Sequence, residues 1–270
     1  MLIALLVILI AVLLYLFMLA PGRYSAKQKE TFSRFYYAHR GLHSKDKAVP
    51  ENSLAAFALA KEAGYGVELD IRFTKDKQIV VFHDDDLKRV CGVEGLVSDF
   101  TYEELLAFDL CGTKEKIPLF SQVLSLLDGK VPMIIEYKIG SIQVNALCQA
   151  AEELLAGYKG LYCIESFNPF VPGWYRKHRP QVLRGQLSAC FFGDKNIPLY
   201  RKVALQNLIS NFVARPQFIA FDHRHWNCFS FSLCRALFHP ILVAWTVRDT
   251  DDIPAITAGS DMIIFEYFRP

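Results

Sequence analysis

Glu68-Leu69-Asp70 sets two carboxylates two residues apart within an apolar run, Gly66–Phe73, that reads as a β-strand. Alternation along a strand sends both side chains to the same face and into one space. Two carboxylates converging there repel and raise each other's pKa, and a bound divalent cation relieves that conflict. Glu136, at the end of another apolar run, supplies a third oxygen. Three such ligands suit one hard cation, Ca²⁺ or Mg²⁺, and Mn²⁺ also accepts carboxylates. His39 and His83 offer an acid and a base near neutral pH. Arg40 is a bidentate donor for a phosphate and Lys138 a point charge. A cation, two positive side chains and two imidazoles around one anionic centre imply phosphodiester cleavage.

These residues need a frame that brings them together. Strands are expected at Phe35–Ala38, Gly66–Phe73, Val131–Tyr137, Leu161–Ile164, Val182–Gln186, Phe218–Phe221, Ile241–Val247 and Met262–Phe265. A hairpin arm at Gln78–Phe82 follows the turn Thr74–Lys77. Helical spacing marks Ser53–Ala63, Tyr102–Phe108, Pro118–Leu127 and Ile142–Tyr158. Eight strands joined mostly through helices predict parallel pairing and closure into a TIM (β/α)₈ barrel, an α/β fold. In such a barrel the C-terminal strand ends converge. That rule places His39, Glu68, Asp70 and Glu136 on one rim, and the hairpin returns His83 to it.

Ahead of the barrel, Met1–Ala20 carries no charged side chain and ends at Pro21-Gly22-Arg23. About 20 apolar residues cross a hydrocarbon core of about 30 Å. A cleaved signal peptide is the rival reading, but no Lys or Arg precedes the run and no small-x-small site ends it. The expectation is therefore a single-pass anchor at 1–22, a polar linker at 23–34 and a barrel over 35–270 that needs no contact from the anchor. Arg23, Lys27, Lys29 and Arg34 follow the span and nothing basic precedes it. The positive-inside bias then places the catalytic domain in the cytoplasm. Seven scattered cysteines without a C-x-x-C pair agree with a reducing compartment. A net charge of +2 gives no case for nucleic acid.

The ordered motifs carry a family resemblance. His39-Arg40-Gly41, Pro50-Glu51-Asn52-Ser53, Glu68-Leu69-Asp70, Thr74-Lys75-Asp76, Val80-Val81-Phe82-His83-Asp84 and Glu136-Tyr137-Lys138 occur in sequence. In that order the chain resembles the glycerophosphodiester phosphodiesterase family over about residues 35–268. The resemblance implies a small insertion after the second strand, matching 71–116. It implies Glu68, Asp70 and Glu136 as metal ligands, His39 and His83 as the acid–base pair, and Arg40 and Lys138 on the phosphate. Glu51 and Asn52 are implied to shape the same pocket, and Trp245 to line the alcohol subsite. The implied reaction converts a glycerophosphodiester to glycerol phosphate and an alcohol. At the last strand the chain departs from the family: Ile264-Phe265-Glu266-Tyr267 replaces the usual small, Asp-containing close. That departure is expected to leave the metal core untouched.

Weaker features have plainer readings. Glu-x-Asp alone is more often a polar strand edge, and Glu51 alone a first-turn helix acid. Asp222-His223-Arg224-His225-Trp226 reads as a solvated loop near the rim that at most touches substrate, rather than a second metal site, and His43, His178 and His239 as surface or packing residues. Two rivals remain. One is a phospholipase D-like or lysophospholipase D-like enzyme on the same barrel, favoured by the anchor. The other is a non-catalytic membrane scaffold, disfavoured because clustered carboxylates cost stability when unpaired.

Overall fold

A computed structural model describes residues 1–139, 143–191 and 198–270. The strands are β1 (Tyr37–Ala38), β2 (Gly66–Phe73), β3 (Ile79–Val81), β4 (Met133–Tyr137), β5 (Tyr162–Ser166), β6 (Arg184–Ser188), β7 (Phe218–Asp222), β8 (Ile241–Val247) and β9 (Met262–Phe265). They neighbour in the order β1-β9-β8-β7-β6-β5-β4-β2, and β1 also pairs with β2, so the sheet closes. Every pair in that ring is parallel; β3 alone is antiparallel, lying along the outer end of β2. This is the expected eight-stranded TIM barrel. β1 is shorter than its apolar run, and β5 and β6 reach two residues further toward their C-termini.

Period-two alternation builds two cores. Leu69 and Ile71 of β2 and Ile135 and Tyr137 of β4 face outward and pack with Phe57, Phe120 and Leu147 of the helices. The alternate positions Tyr37, Ile134, Cys163, Phe218, Ile241 and Met262 fill the lower barrel. Gly185 is required there, since a Cβ at that position would lie 1.9 Å from the Phe218 ring. Higher up, the same inward positions turn acidic. Parallel register aligns Asp70 with Glu136 and Glu136 with Glu165.

Helix Leu54–Glu62 begins where Ser53 Oγ accepts from the Ala56 amide. The segment after β2 carries its own small core of Val80, Phe82, Leu87, Val90, Val97, Leu105 and Leu110. The helix expected over Ile142–Tyr158 runs Val144–Leu155, and Ile142 lies outside the described residues.

The N-terminal segment corrects one expectation. Helix α1, Leu2–Leu19, is long and apolar enough to cross a membrane. Its last turn, however, docks on the barrel wall. Leu19 is fully buried beside Leu208, Ile219 and Phe231. Asn211 Nδ2 donates to the Leu19 carbonyl at 2.9 Å, and Arg215 Nη1 to those of Ala20 at 2.6 Å and Phe17 at 2.8 Å. Residues 23–34 are also more than a linker. Ser25 and Gln28 form a capping box that starts helix Ala26–Ser33, Lys29 pairs with Asp261 at 2.7 Å, and Phe32 joins the lower barrel core. A short polar stretch hides these contacts because their partners lie about two hundred residues away.

Candidate active site

The C-terminal end of the barrel opens into a cavity of about 450 Å³. Glu68, Glu136, His39, His83, Arg40, Lys138 and Trp245, all singled out from the sequence, line it. Glu68, Asp70 and Glu136 are buried and offer oxygens within 4.8 Å of one another. Burial first, and the Asp70 charge second, hold the Glu68 carboxyl well above its usual range. Glu136 is raised mainly by burial, against the pull of Lys138. Asp70 goes the other way: burial is outweighed by Lys138, His83 and Arg40 and by the Asn52 hydrogen bond, which keep it well below. Thus three carboxylates compete for too little positive charge.

Lys138 answers part of that demand. Its Nζ lies 2.8 Å from Glu136 Oε1 and 3.2 Å from Asp70 Oδ1. Burial opposes its charge, but Glu136 and Asp70 raise its pKa overall. Arg40 has φ 54°, a left-handed turn that aims its amide at Glu68 Oε2, 3.0 Å away. Gly41 continues the turn at φ 79°, and a Cβ there would sit 2.9 Å from Ala56. Glu51 and Asn52 stand behind this layer. Asn52 Nδ2 donates to Asp70 Oδ2 at 2.9 Å, while Glu51 accepts from Arg40 Nη1 at 2.7 Å.

Both imidazoles are oriented by a carboxylate on Nδ1. Asp84 Oδ1 lies 2.6 Å from His83 Nδ1, and Glu266 Oε1 lies 3.2 Å from His39 Nδ1. Each ring is thereby set as the Nδ1–H tautomer, with Nε2 left for proton transfer. His39 Nε2 is 4.0 Å from Glu68 Oε2. Burial, helped by the Arg40 charge, pushes His39 down to about 4, against the pull of Glu266.

Several participants were not legible beforehand. Glu266, at the departure in the last strand, also takes Arg248 Nη2 at 2.8 Å and lies 3.3 Å from His43 Nε2. The departure thus bears on His39 and not on the three carboxylates, and the reading of His43 as a mere surface or packing residue is corrected. Glu165 is buried beside Glu136, has an Oε2 without a partner among the described residues, and is raised well above the usual range chiefly by burial. Arg89 clamps Glu51 and Asp84 with contacts of 2.6 to 2.7 Å, tying the insertion to the first loop. In the 222–226 stretch His223 and Arg224 line the cavity, with His223 Nε2 3.3 Å from Asp251. Trp245 meets Phe167 edge-on at 5.8 Å, and its buried Nε1 has no hydrogen-bond partner among the described residues. Only inward alternation on β5 could have pointed to Glu165. Glu266 and His43 needed the closed ring.

Comparison with known proteins decides the kinship. Residues 39–169, which include the three carboxylates and both histidines, match the model of the Glycerophosphoryl diester phosphodiesterase family. That stretch of the chain belongs to that family. A glycerophosphodiester phosphodiesterase of Caldanaerobacter subterraneus is 35% identical over 164 residues, 57% of this chain and 66% of that protein. A lysophospholipase D of Rattus norvegicus is 34% identical over 54% of this chain and 48% of its own length. The chain thus matches about two thirds or less of these relatives' lengths. An Oleispira antarctica phosphodiesterase in complex with the product sn-glycerol-3-phosphate shares the fold, with a TM-score of 0.70, 24% identity and coverage of 86% of this chain and 93% of that one. A Thermotoga maritima glycerophosphodiester phosphodiesterase follows at a TM-score of 0.64, 25% identity, and 86% and 94% coverage.

Proposed function

We propose that this family member hydrolyses glycerophosphodiesters to glycerol phosphate and an alcohol, with a divalent cation held by Glu68, Asp70 and Glu136. One observation carries the reading: Glu68, Glu136, two carboxylate-oriented imidazoles, Arg40 and Lys138 line a single cavity, with the buried Asp70 within 4.8 Å of both glutamates. The donor set fits a hard cation on its own chemistry. It is all oxygen and over-rich in negative charge, and the buried Asp70 Oδ1 meets only the Lys138 ammonium at 3.2 Å among the described residues. Ca²⁺ or Mg²⁺ suits it, and Mn²⁺ is admissible. When bound, such an ion supplies charge neutralisation and Lewis-acid polarisation of the phosphoryl oxygens.

The protein's own groups do the rest. Arg40 and Lys138 bind the non-bridging oxygens. His39, neutral at pH 7, accepts the proton of the attacking hydroxyl through Nε2, and His83 protonates the departing alkoxide. The attacker is either water or the neighbouring glycerol hydroxyl. Glu51 and Asn52 hold Arg40 and Asp70 in place, and Trp245 with Phe167 forms the apolar wall against the alcohol. Choline release from glycerophosphocholine, abolished by chelation and restored by Mg²⁺ or Ca²⁺, is the expected result. Hydrolysis undiminished by chelation contradicts it.

The second reading, action on a lysolipid, is favoured by two observations: the likeness to lysophospholipase D and the apolar helix α1. We further propose that residues 1–22 are an uncleaved single-pass anchor and that 35–270, with an insertion at 71–116, form the catalytic unit on the cytoplasmic side. Protease added to intact cells should leave the barrel whole; its digestion there contradicts this orientation.

A further inference from the structure

Three contacts fix how helix α1 lies against helix Phe229–Phe238. Tyr15 OH donates to Ser230 Oγ at 2.7 Å, Cys234 Sγ lies 3.8 Å from the Leu19 carbonyl oxygen, and Tyr24 OH donates to the His239 carbonyl at 2.8 Å. Residue numbers rise together on both sides, so the two segments run in the same direction. Helix Phe229–Phe238 leaves the C-terminal end of β7 and descends to the start of β8. It therefore runs from the catalytic end of the barrel to the opposite end. The part of α1 before Tyr15 must project past the catalytic end.

Length sharpens the point. Leu2–Leu14 is exposed throughout and, at 1.5 Å per residue, measures about 20 Å. A hydrocarbon core measures about 30 Å. The free length falls short of that thickness, so the bilayer must lie as close to the docked turn as the barrel allows, which draws the catalytic end against the headgroups. The surface there suits that position. Phe229 is 72% exposed, and Leu199 and Tyr200 are each 68% exposed. Ser188 Oγ, at the C-terminal end of β6, donates to the Leu205 carbonyl, and Ser230 Oγ donates to Asn207 Oδ1. Helix Leu199–Gln206 is thereby tied to the catalytic end, next to where α1 docks. Exposed aromatic and aliphatic side chains flanked by Arg201 and Lys202 match an interface of apolar chains and anionic headgroups. The basic residues Arg23 and Lys29, by contrast, contact Gln217 and Asp261 at the far end.

We infer that the catalytic end faces the bilayer that α1 enters, and that the cavity opens onto the headgroup layer to take phosphodiesters anchored there by an acyl chain. This deepens the function proposed above and rests on it. In the reaction water adds across the P–O bond to the alcohol. The phosphomonoester stays on the lipid, and the alcohol leaves with the proton delivered to its oxygen. Arg224, which lines the cavity with a side chain 64% exposed, stands on the β7 connection that leads to Phe229.

The test uses the full chain in vesicles of phosphatidylglycerol and phosphatidylethanolamine. A fluorescent amino acid is placed at Phe229, or at Tyr36 on the opposite end, and lipids brominated on the acyl chain are added. Quenching at 229 and not at 36 is expected; quenching at 36 alone, or at neither, overturns the orientation. Choline release is then compared between lysophosphatidylcholine in the vesicles and free glycerophosphocholine. Phe229→Asp combined with Tyr200→Asp should lower the first by about tenfold or more and change the second by less than about twofold, since only interfacial binding is lost. Equal loss on both, or on neither, overturns the substrate assignment. If the unaltered chain releases choline from neither diester while position 229 is still quenched, the proposed function fails and the orientation stands.

Discussion

Glu266 Oε1 lies 3.2 Å from His39 Nδ1, joining the last barrel strand to the first through a carboxylate–imidazole contact. Two further groups hold the carboxylate: His43 Nε2 at 3.3 Å and Arg248 Nη2 at 2.8 Å. Despite its burial, these hydrogen bonds keep Glu266 ionised, well below the usual carboxylate range. In the proposed mechanism Glu266 is a positioning residue: it fixes which nitrogen of His39 faces the cavity and would stabilise the imidazolium formed there.

Glu266→Gln should therefore lower kcat by about tenfold or more while leaving metal affinity near wild type. Its carboxylate favours protonated His39, so its removal moves the His39 pKa further down, and the acid limb of the rate profile shifts to lower pH. Glu266→Asp should recover part of the rate. A profile that does not move, with kcat unchanged, contradicts the positioning role.

Chelated protein should lose thermal stability as pH rises from the ordinary carboxylate range through the pH at which Glu68 gives up its proton. Folding raises the Glu68 pKa above its unfolded value, chiefly by burial, so the folded state binds the extra proton and its advantage is lost as that proton leaves. His39 has the opposite sign, since its folded pKa is depressed to about 4. Its contribution is present above the unfolded value of 6.5 and lost as pH falls from there, so it opposes the Glu68 decline only below 6.5. Saturating Mg²⁺ should flatten or reverse the decline, because binding requires the deprotonated carboxylates. Melting curves at several pH values, with and without metal, decide it.

Gly185→Ala should destabilise the barrel by about 1–3 kcal/mol through overpacking, because its Cβ would collide with the Phe218 ring. Gly64→Ala is the comparison: open space surrounds that position, and only its φ of 76° carries a cost. A denaturant midpoint for Gly185→Ala at or above that of Gly64→Ala contradicts the packing account.

What the sequence disclosed follows from distance along the chain. Glu68 and Asp70 declare themselves by alternation within one strand, and each motif joins residues that are neighbours in sequence. Strand positions on β8 and β9 were readable from their apolar runs alone. Glu266 and His43 were not, because their meeting depends on β9 closing against β1. Leu19, Lys29 and Phe32 escaped for the same reason: each finds its partners far along the chain, and a polar stretch carries no mark of that.

The most direct test is calorimetric metal titration of five variants beside wild type. Glu68→Gln, Asp70→Asn and Glu136→Gln should each weaken Mg²⁺ or Ca²⁺ binding, with activity partly restored by excess metal. His39→Ala and His83→Ala should bind metal normally, yet lose about 10²-fold or more in activity with no rescue, the scale of acid–base catalysis. Normal metal binding by Glu136→Gln, together with lost binding in either histidine variant, would contradict the ligand shell on which the whole account rests.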